Sequence, residues 1–77
     1  MTAYRDLVRH SQRQVKASVK ASAPEWLIGY AESSIRKANF FHARRRSLTC
    51  PLRSRAVNEL LQLDDVLSHY LRSVTRQ

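Results

Sequence analysis

A chain of 77 residues with 14 Lys and Arg against 6 Asp and Glu, one Gly, two Pro and one Cys carries a formal charge of +8. A single Cys excludes an internal disulfide, no C-x-x-C spacing is present for structural zinc, and one Gly with two Pro leaves an all-β fold without turn residues. No apolar run approaches the roughly 18 residues of a membrane span; Leu, Ile, Val and Phe reach 19 of 77, above the level of a disordered chain, and one small, basic, all-α domain over 1–77 remains.

Helix 1 is predicted over about 3–20. Thr2 is placed to cap it, and Asp6 suits the positive end of its dipole. Tyr4, Leu7, Val8, Ser11, Val15 and Val19 recur on one face at the 3.6-residue period. Arg5, Arg9, Arg13, Lys16 and Lys20 occupy an arc of about 80° on the opposite side. No acid stands four residues from any of these cations, so they repel one another and call for an acidic partner. The plainer reading is a solvated face. Residues 1–24 also have the basic, amphipathic, nearly acid-free chemistry of a mitochondrial presequence.

Helix 2 is predicted over about 24–46. Ser22-Ala23-Pro24-Glu25 reads as a capping box, with Ser22 the N-cap and Glu25 returning the bond. Pro24 fits a first turn and ends helix 1 near Lys20–Ala21. Leu27, Ile28, Ala31, Ile35, Ala38 and Phe41 form the core side, with Tyr30 at its margin. Small residues at Ala31, Ser34 and Ala38 admit a close neighbour, and Gly29 costs about 1 kcal/mol relative to Ala. Trp26, Lys37, Phe40 and Arg44 make an outward stripe of aromatics and cations. Such a stripe suits base stacking or a protein interface, or else a side contact with helix 1.

Ser47-Leu48-Thr49 is the expected turn, and helix 3 is predicted over about 51–75, capped by Thr49 or Cys50 with Pro51 in its first turn. Ala56, Leu60, Leu63, Leu67, Tyr70 and Val74 follow a heptad seam, which Leu52, Val57, Leu61 and Leu71 widen. A short turn forces helices 2 and 3 into an antiparallel hairpin, with helix 1 across it: an all-α, three-helix, up-down-up bundle.

Seven basics and no acid lie between Arg36 and Arg55: Arg36, Lys37, Arg44, Arg45, Arg46, Arg53 and Arg55. Around the turn they would bind phosphates without sequence preference, or complement a helix dipole. Asp6/His10 and Asp65/His69 each set two potential ligands on one helix face, which is not a closed metal site. Cys50 near His42 and the arginines has a setting that lowers a thiol pKa, but no third catalytic group accompanies it. The residues therefore point away from an enzyme and from a cofactor of the chain's own.

Ala3-Tyr4-Arg5-Asp6-Leu7-Val8-Arg9 resembles the opening of the LYR-motif (complex I LYR-like) family of small mitochondrial three-helix proteins, with Ala3 in place of the motif's Leu. Tyr30…Ile35-Arg36 is similar to the Tyr-x4-Ile-Arg of that family's second helix, with Asn39 where a Phe is usual and Phe40 and Phe41 just after. The resemblance implies a matrix-side mitochondrial adaptor, a subunit or assembly factor of a larger complex. It further implies an acidic acyl carrier protein as partner, whose acyl-phosphopantetheine arm enters the core between the helices. Tyr4, Arg5, Arg9 and Arg36 carry over as carrier contacts, and the stripe adds Lys37 and Phe40. The alternatives are a basic RNA-binding module using Arg44, Arg45, Arg46, Arg53 and Arg55 with Phe40, and a structural homodimer sealing the heptad seam.

Overall fold

A computed structural model describes residues 4–45 and 51–75 as three helices, α1 (Tyr4–Lys20), α2 (Glu25–Ala43) and α3 (Pro51–Thr75). The expected cap Thr2, the turn 47–49, the caps Thr49 and Cys50, and Arg46 lie outside the described residues. The expected up-down-up bundle is what forms. α2 and α3 pack antiparallel in the tightest pairing of the fold, α1 leans on α3, and α1 and α2 touch least.

The heptad seam of α3 is the core. Leu60, Leu63 and Leu67 are at most 1% exposed, and Ala56 is buried beside them. Leu63 and Leu67 pack with Leu27 and Ala31; Leu60 and Ala56 pack with Ala38, and Ile35 joins both groups. Buried Ala31, Ser34 and Ala38 keep α2 slim, which is why α3 can seat its leucines against it. Each buried Leu contributes about 1.5–3 kcal/mol. The seam is filled by the chain's own α2, so it offers no surface to a second copy.

α1 meets this hairpin through a partly polar line. Tyr4, Ser11 and Ser18 repeat at seven-residue spacing along α1, and Ser11 and Ser18 are buried. Ser18 Oγ and Gln14 Oε1 are buried without a hydrogen-bond partner. Val19, expected on the apolar face, is instead 56% exposed. It stands about 100° round from Ser18, outside that buried line. Leu61, expected to widen the seam, is 51% exposed for the same reason, one step round from buried Leu60.

The capping box does not form. Ser22 has φ 61°, in the left-handed region, and α2 is preceded by Pro24 as N-cap with no side-chain cap bond. Ser22 instead closes α1: Ala23 N–H donates to the Ser18 carbonyl at 2.9 Å, and Ser22 N–H to the Val19 carbonyl at 3.1 Å. These are the two crossed bonds of a Schellman stop, with Ser22 in the place glycine usually takes. Burial of Ala23 against the Leu27–Leu67 cluster completes it.

α2 ends at Ala43, three residues before the sequence expectation. Arg44, the C-cap, stays in the right-handed region at φ −98°, ψ 0°. The Arg44 guanidinium donates to the Phe40 carbonyl at 3.4 Å and that of Arg45 to the His42 carbonyl at 2.8 Å. The arginine side chains thus satisfy carbonyls that a longer helix would have used.

Among the described residues no helix is long and apolar enough to cross a membrane.

Candidate functional site

The weak contact between α1 and α2 leaves a groove along the molecule. Its upper part, about 370 Å³, is lined by Gln12 and Val15 of α1 and by Glu32, Ile35, Arg36 and Asn39 of α2. Val15 and Ile35 also touch the core, so the floor is apolar while the rims are polar. The lower part, about 650 Å³, lies between Tyr4, Arg5, Asp6, Val8 and Arg9 on one side and Asn39, His42 and Arg45 on the other.

Five cations run along α1, of which Arg5 and Arg9 line the groove. Arg5, Arg9, Arg13, Lys16 and Lys20 are all exposed, and they span about 22 Å at 1.5 Å per residue. The ion pairs among the described residues are His10–Asp64 at 2.7 Å and Lys37–Glu59 at 4.0 Å, and neither involves these five. The Asp6/His10 spacing accordingly gives no pair: His10 turns to Asp64 of α3. No cluster of three potential metal ligands occurs among the described residues.

At the foot of the groove Tyr4 is held in place. The Tyr4 hydroxyl donates to Asn39 Oδ1 at 2.9 Å, and its ring stacks on His42 with centroids 3.8 Å apart and planes 6° from parallel. Burial pushes the Tyr4 hydroxyl pKa up. The His42 ring titrates below its ordinary value, because burial, then Arg45 and Arg53, disfavour its cation. Arg45 Nη1 lies 3.3 Å from His42 Nδ1. A guanidinium can only donate, so Nδ1 accepts and the proton of the neutral ring sits on Nε2.

Of the residues expected to meet a carrier protein, Tyr4, Arg5 and Arg9 share the lower groove and Arg36 stands on the rim above it. Lys37 and Phe40 do not join them. Lys37 turns to Glu59 of α3, and Phe40 points outward, 50% exposed, under the Arg44 guanidinium at 3.6 Å. Asn39, His42 and Gln12 also line the groove, although nothing in the sequence singles them out as binding residues, and Arg45, expected at an RNA-binding turn, lines it too. Only the antiparallel register of α1 on α2 brings them there, and no local pattern announces it.

The arginines expected to bind RNA divide. Arg44 and Arg55 lie over the rings of Phe40 and Phe41, at 3.6 and 4.6 Å, and those two rings meet edge to face at 5.9 Å. Arg45 Nη1 meets His42 Nδ1 at 3.3 Å, and the charge of Arg53 disfavours the His42 cation. Arg46 lies outside the described residues.

Fold and groove define a small all-α, three-helix protein with an open, cation-rimmed cleft between its first two helices. Comparison with protein-family models, with curated proteins and with solved structures finds no match.

Proposed function

We propose that this chain is a non-enzymatic adaptor that docks an acidic protein surface along α1, the partner being an acyl carrier protein. In this reading Arg5, Arg9 and Arg36 face the carrier's acidic helix. The acyl chain on its phosphopantetheine arm lies over Val15 and Ile35. The adaptor serves as a subunit or assembly factor of a mitochondrial complex. The observation that carries the reading is a row of five exposed α1 cations outside the ion pairs found among the described residues, two of which, Arg5 and Arg9, line a groove with an apolar floor. Opposite charges steer encounter and fix register, while each buried CH₂ of a chain adds about 0.8 kcal/mol. The Tyr4, Arg5, Arg9 and Ile35-Arg36 motif residues support the mitochondrial setting through their likeness to the LYR-motif family.

RNA binding is the second reading. It is favoured by half-exposed Phe40 beneath Arg44, a stacking platform beside other cations. It ranks second because Arg44, Arg45 and Arg55 are already engaged with aromatic rings and helix-end carbonyls, whereas the α1 cations are not.

Intact mass of the complex formed when the chain meets purified acylated carrier and RNA in one mixture separates the two. A chain–carrier complex is expected. A chain–RNA complex, or the chain alone, overturns the first reading.

A further inference from the structure

The outer face of α2 plays no part in the groove's floor, and it exposes more aromatic surface than any other face described. Trp26 is 70% exposed, Phe40 50% and Tyr30 38%. Trp26, Ser33 and Phe40 repeat at seven-residue spacing and so lie along one line of the helix, with Ser33 at its middle. Gly29 lies beside that line, and a Cβ placed on it would meet no atom within 4 Å. The face is thus bulky at both ends and shallow between them.

Its charges are also divided. Glu25 and Glu32 lie in the first half of α2, and Arg36, Lys37 and Arg44 in the second half and just past its end. Glu32 and Arg36 stand one turn apart but make no ion pair within the chain, the pairs among the described residues being elsewhere.

We infer that this face docks a second copy of the chain, antiparallel, about a two-fold axis near Ser33. A two-fold interface must be complementary to itself. Reversal about Ser33 sets Trp26 of each copy against Phe40 of the other, because each lies seven residues from the axis. It also brings Glu32 of one copy beside Arg36 of the other, twice, on the same flank. A parallel arrangement would instead put the two Glu32–Arg36 flanks on opposite sides of the pair and leave them unmatched. An anionic membrane or an acidic polypeptide would be repelled by Glu25 and Glu32, which only a surface of mixed charge can use. Small residues at the crossing let the two backbones approach between the aromatic ends. The inference is independent of the carrier reading, although Glu32 and Arg36 border both surfaces.

Trp26 is the chain's single tryptophan and reports the contact directly. The full chain is followed by sedimentation and by tryptophan emission over a wide concentration range. Moderate salt screens the repulsion between two chains of charge +8. The mass is expected to rise from 9.0 kDa toward twice that value while emission moves to shorter wavelength over the same concentrations. Glu32→Arg and Arg36→Glu should each weaken association by about tenfold or more, and the two together should restore it. Trp26→Ala should abolish association and leave the helical signal intact.

A 9.0 kDa species at every concentration overturns the inference. So does a dimer whose tryptophan emission does not move, or a double exchange that fails to restore association. An emission shift seen only with anionic lipid vesicles, at monomer mass, assigns the face to a membrane instead.

Discussion

The Tyr70 hydroxyl donates a 2.8 Å hydrogen bond to the carbonyl oxygen of Ala21, tying the end of α1 to α3 across 49 residues of sequence. That carbonyl is one of the orphans left where a helix stops, and its neighbours are served by the crossed bonds to Ser18 and Val19. Tyr70→Phe keeps the packing and deletes the bond. It should lower stability by about 1 kcal/mol, measured by urea unfolding, and an unchanged midpoint would show that water serves the carbonyl equally well.

Ser22 holds a left-handed conformation that costs a residue with a Cβ about 1–2 kcal/mol. Ser22→Gly should therefore raise stability by about 1 kcal/mol, less whatever glycine gains in unfolded freedom. If Ser22 were instead the N-cap of α2, the same change would lower the thermal midpoint or leave it unmoved.

The core can be tested against its own edge. Leu63→Ala, at a site with no exposure, should cost about 2–5 kcal/mol and unfold much of so small a domain. Leu61→Ala, two residues away and half exposed, should change stability by less than about 0.5 kcal/mol. Equal losses at both would mean that α3 is rotated from the register described.

Ser18 is buried with its hydroxyl unpartnered, so it weakens the seat of α1. Ser18→Ala removes the orphan and improves helix propensity, and it should stabilise the fold by about 1 kcal/mol or more. A loss of stability would reveal a partner for the hydroxyl.

Much of this fold is legible in the sequence because its strongest signal is a heptad. Ala56, Leu60, Leu63 and Leu67 repeat too regularly for any element but a helix, and the small residues at 31, 34 and 38 mark the face that receives them. Ser18 and Ser22 are the places where local pattern misleads. A buried serine gives no hydrophobic signal, so Val19 looks like the better core residue. Ser-x-x-Glu is a capping signature only when the chain leaves the preceding helix in extended form, and here Ser22 is spent on ending α1. The groove is legible only in part. Tyr4, Arg5, Arg9 and Arg36 stand out as residue types, whereas Asn39 and His42 enter through the register of two antiparallel helices, which also brings in Arg45 from the expected RNA-binding turn.

Folding favours the neutral form of His42, whose pKa lies below the ordinary 6.5. The contribution is therefore full above pH 6.5 and is lost as pH falls through the lowered value. Melting the parent and His42→Phe side by side isolates it, since Phe keeps a ring against Tyr4. The parent should lose stability from pH 7.5 to 5.5 relative to His42→Phe, and parallel profiles would contradict a neutral, Nδ1-accepting His42.

The most direct test of the adaptor reading is titration of purified acylated carrier protein onto the chain and onto Arg5→Glu/Arg9→Glu, with circular dichroism on both. The parent should bind, and the charge-reversed protein should bind about tenfold or more weakly with an unchanged helical signal. Unacylated carrier should bind more weakly than acylated carrier and protect the chain less from thermal unfolding, because the groove floor at Val15 and Ile35 stays wet. No complex with acylated carrier, or equal binding by the charge-reversed protein, would contradict the account.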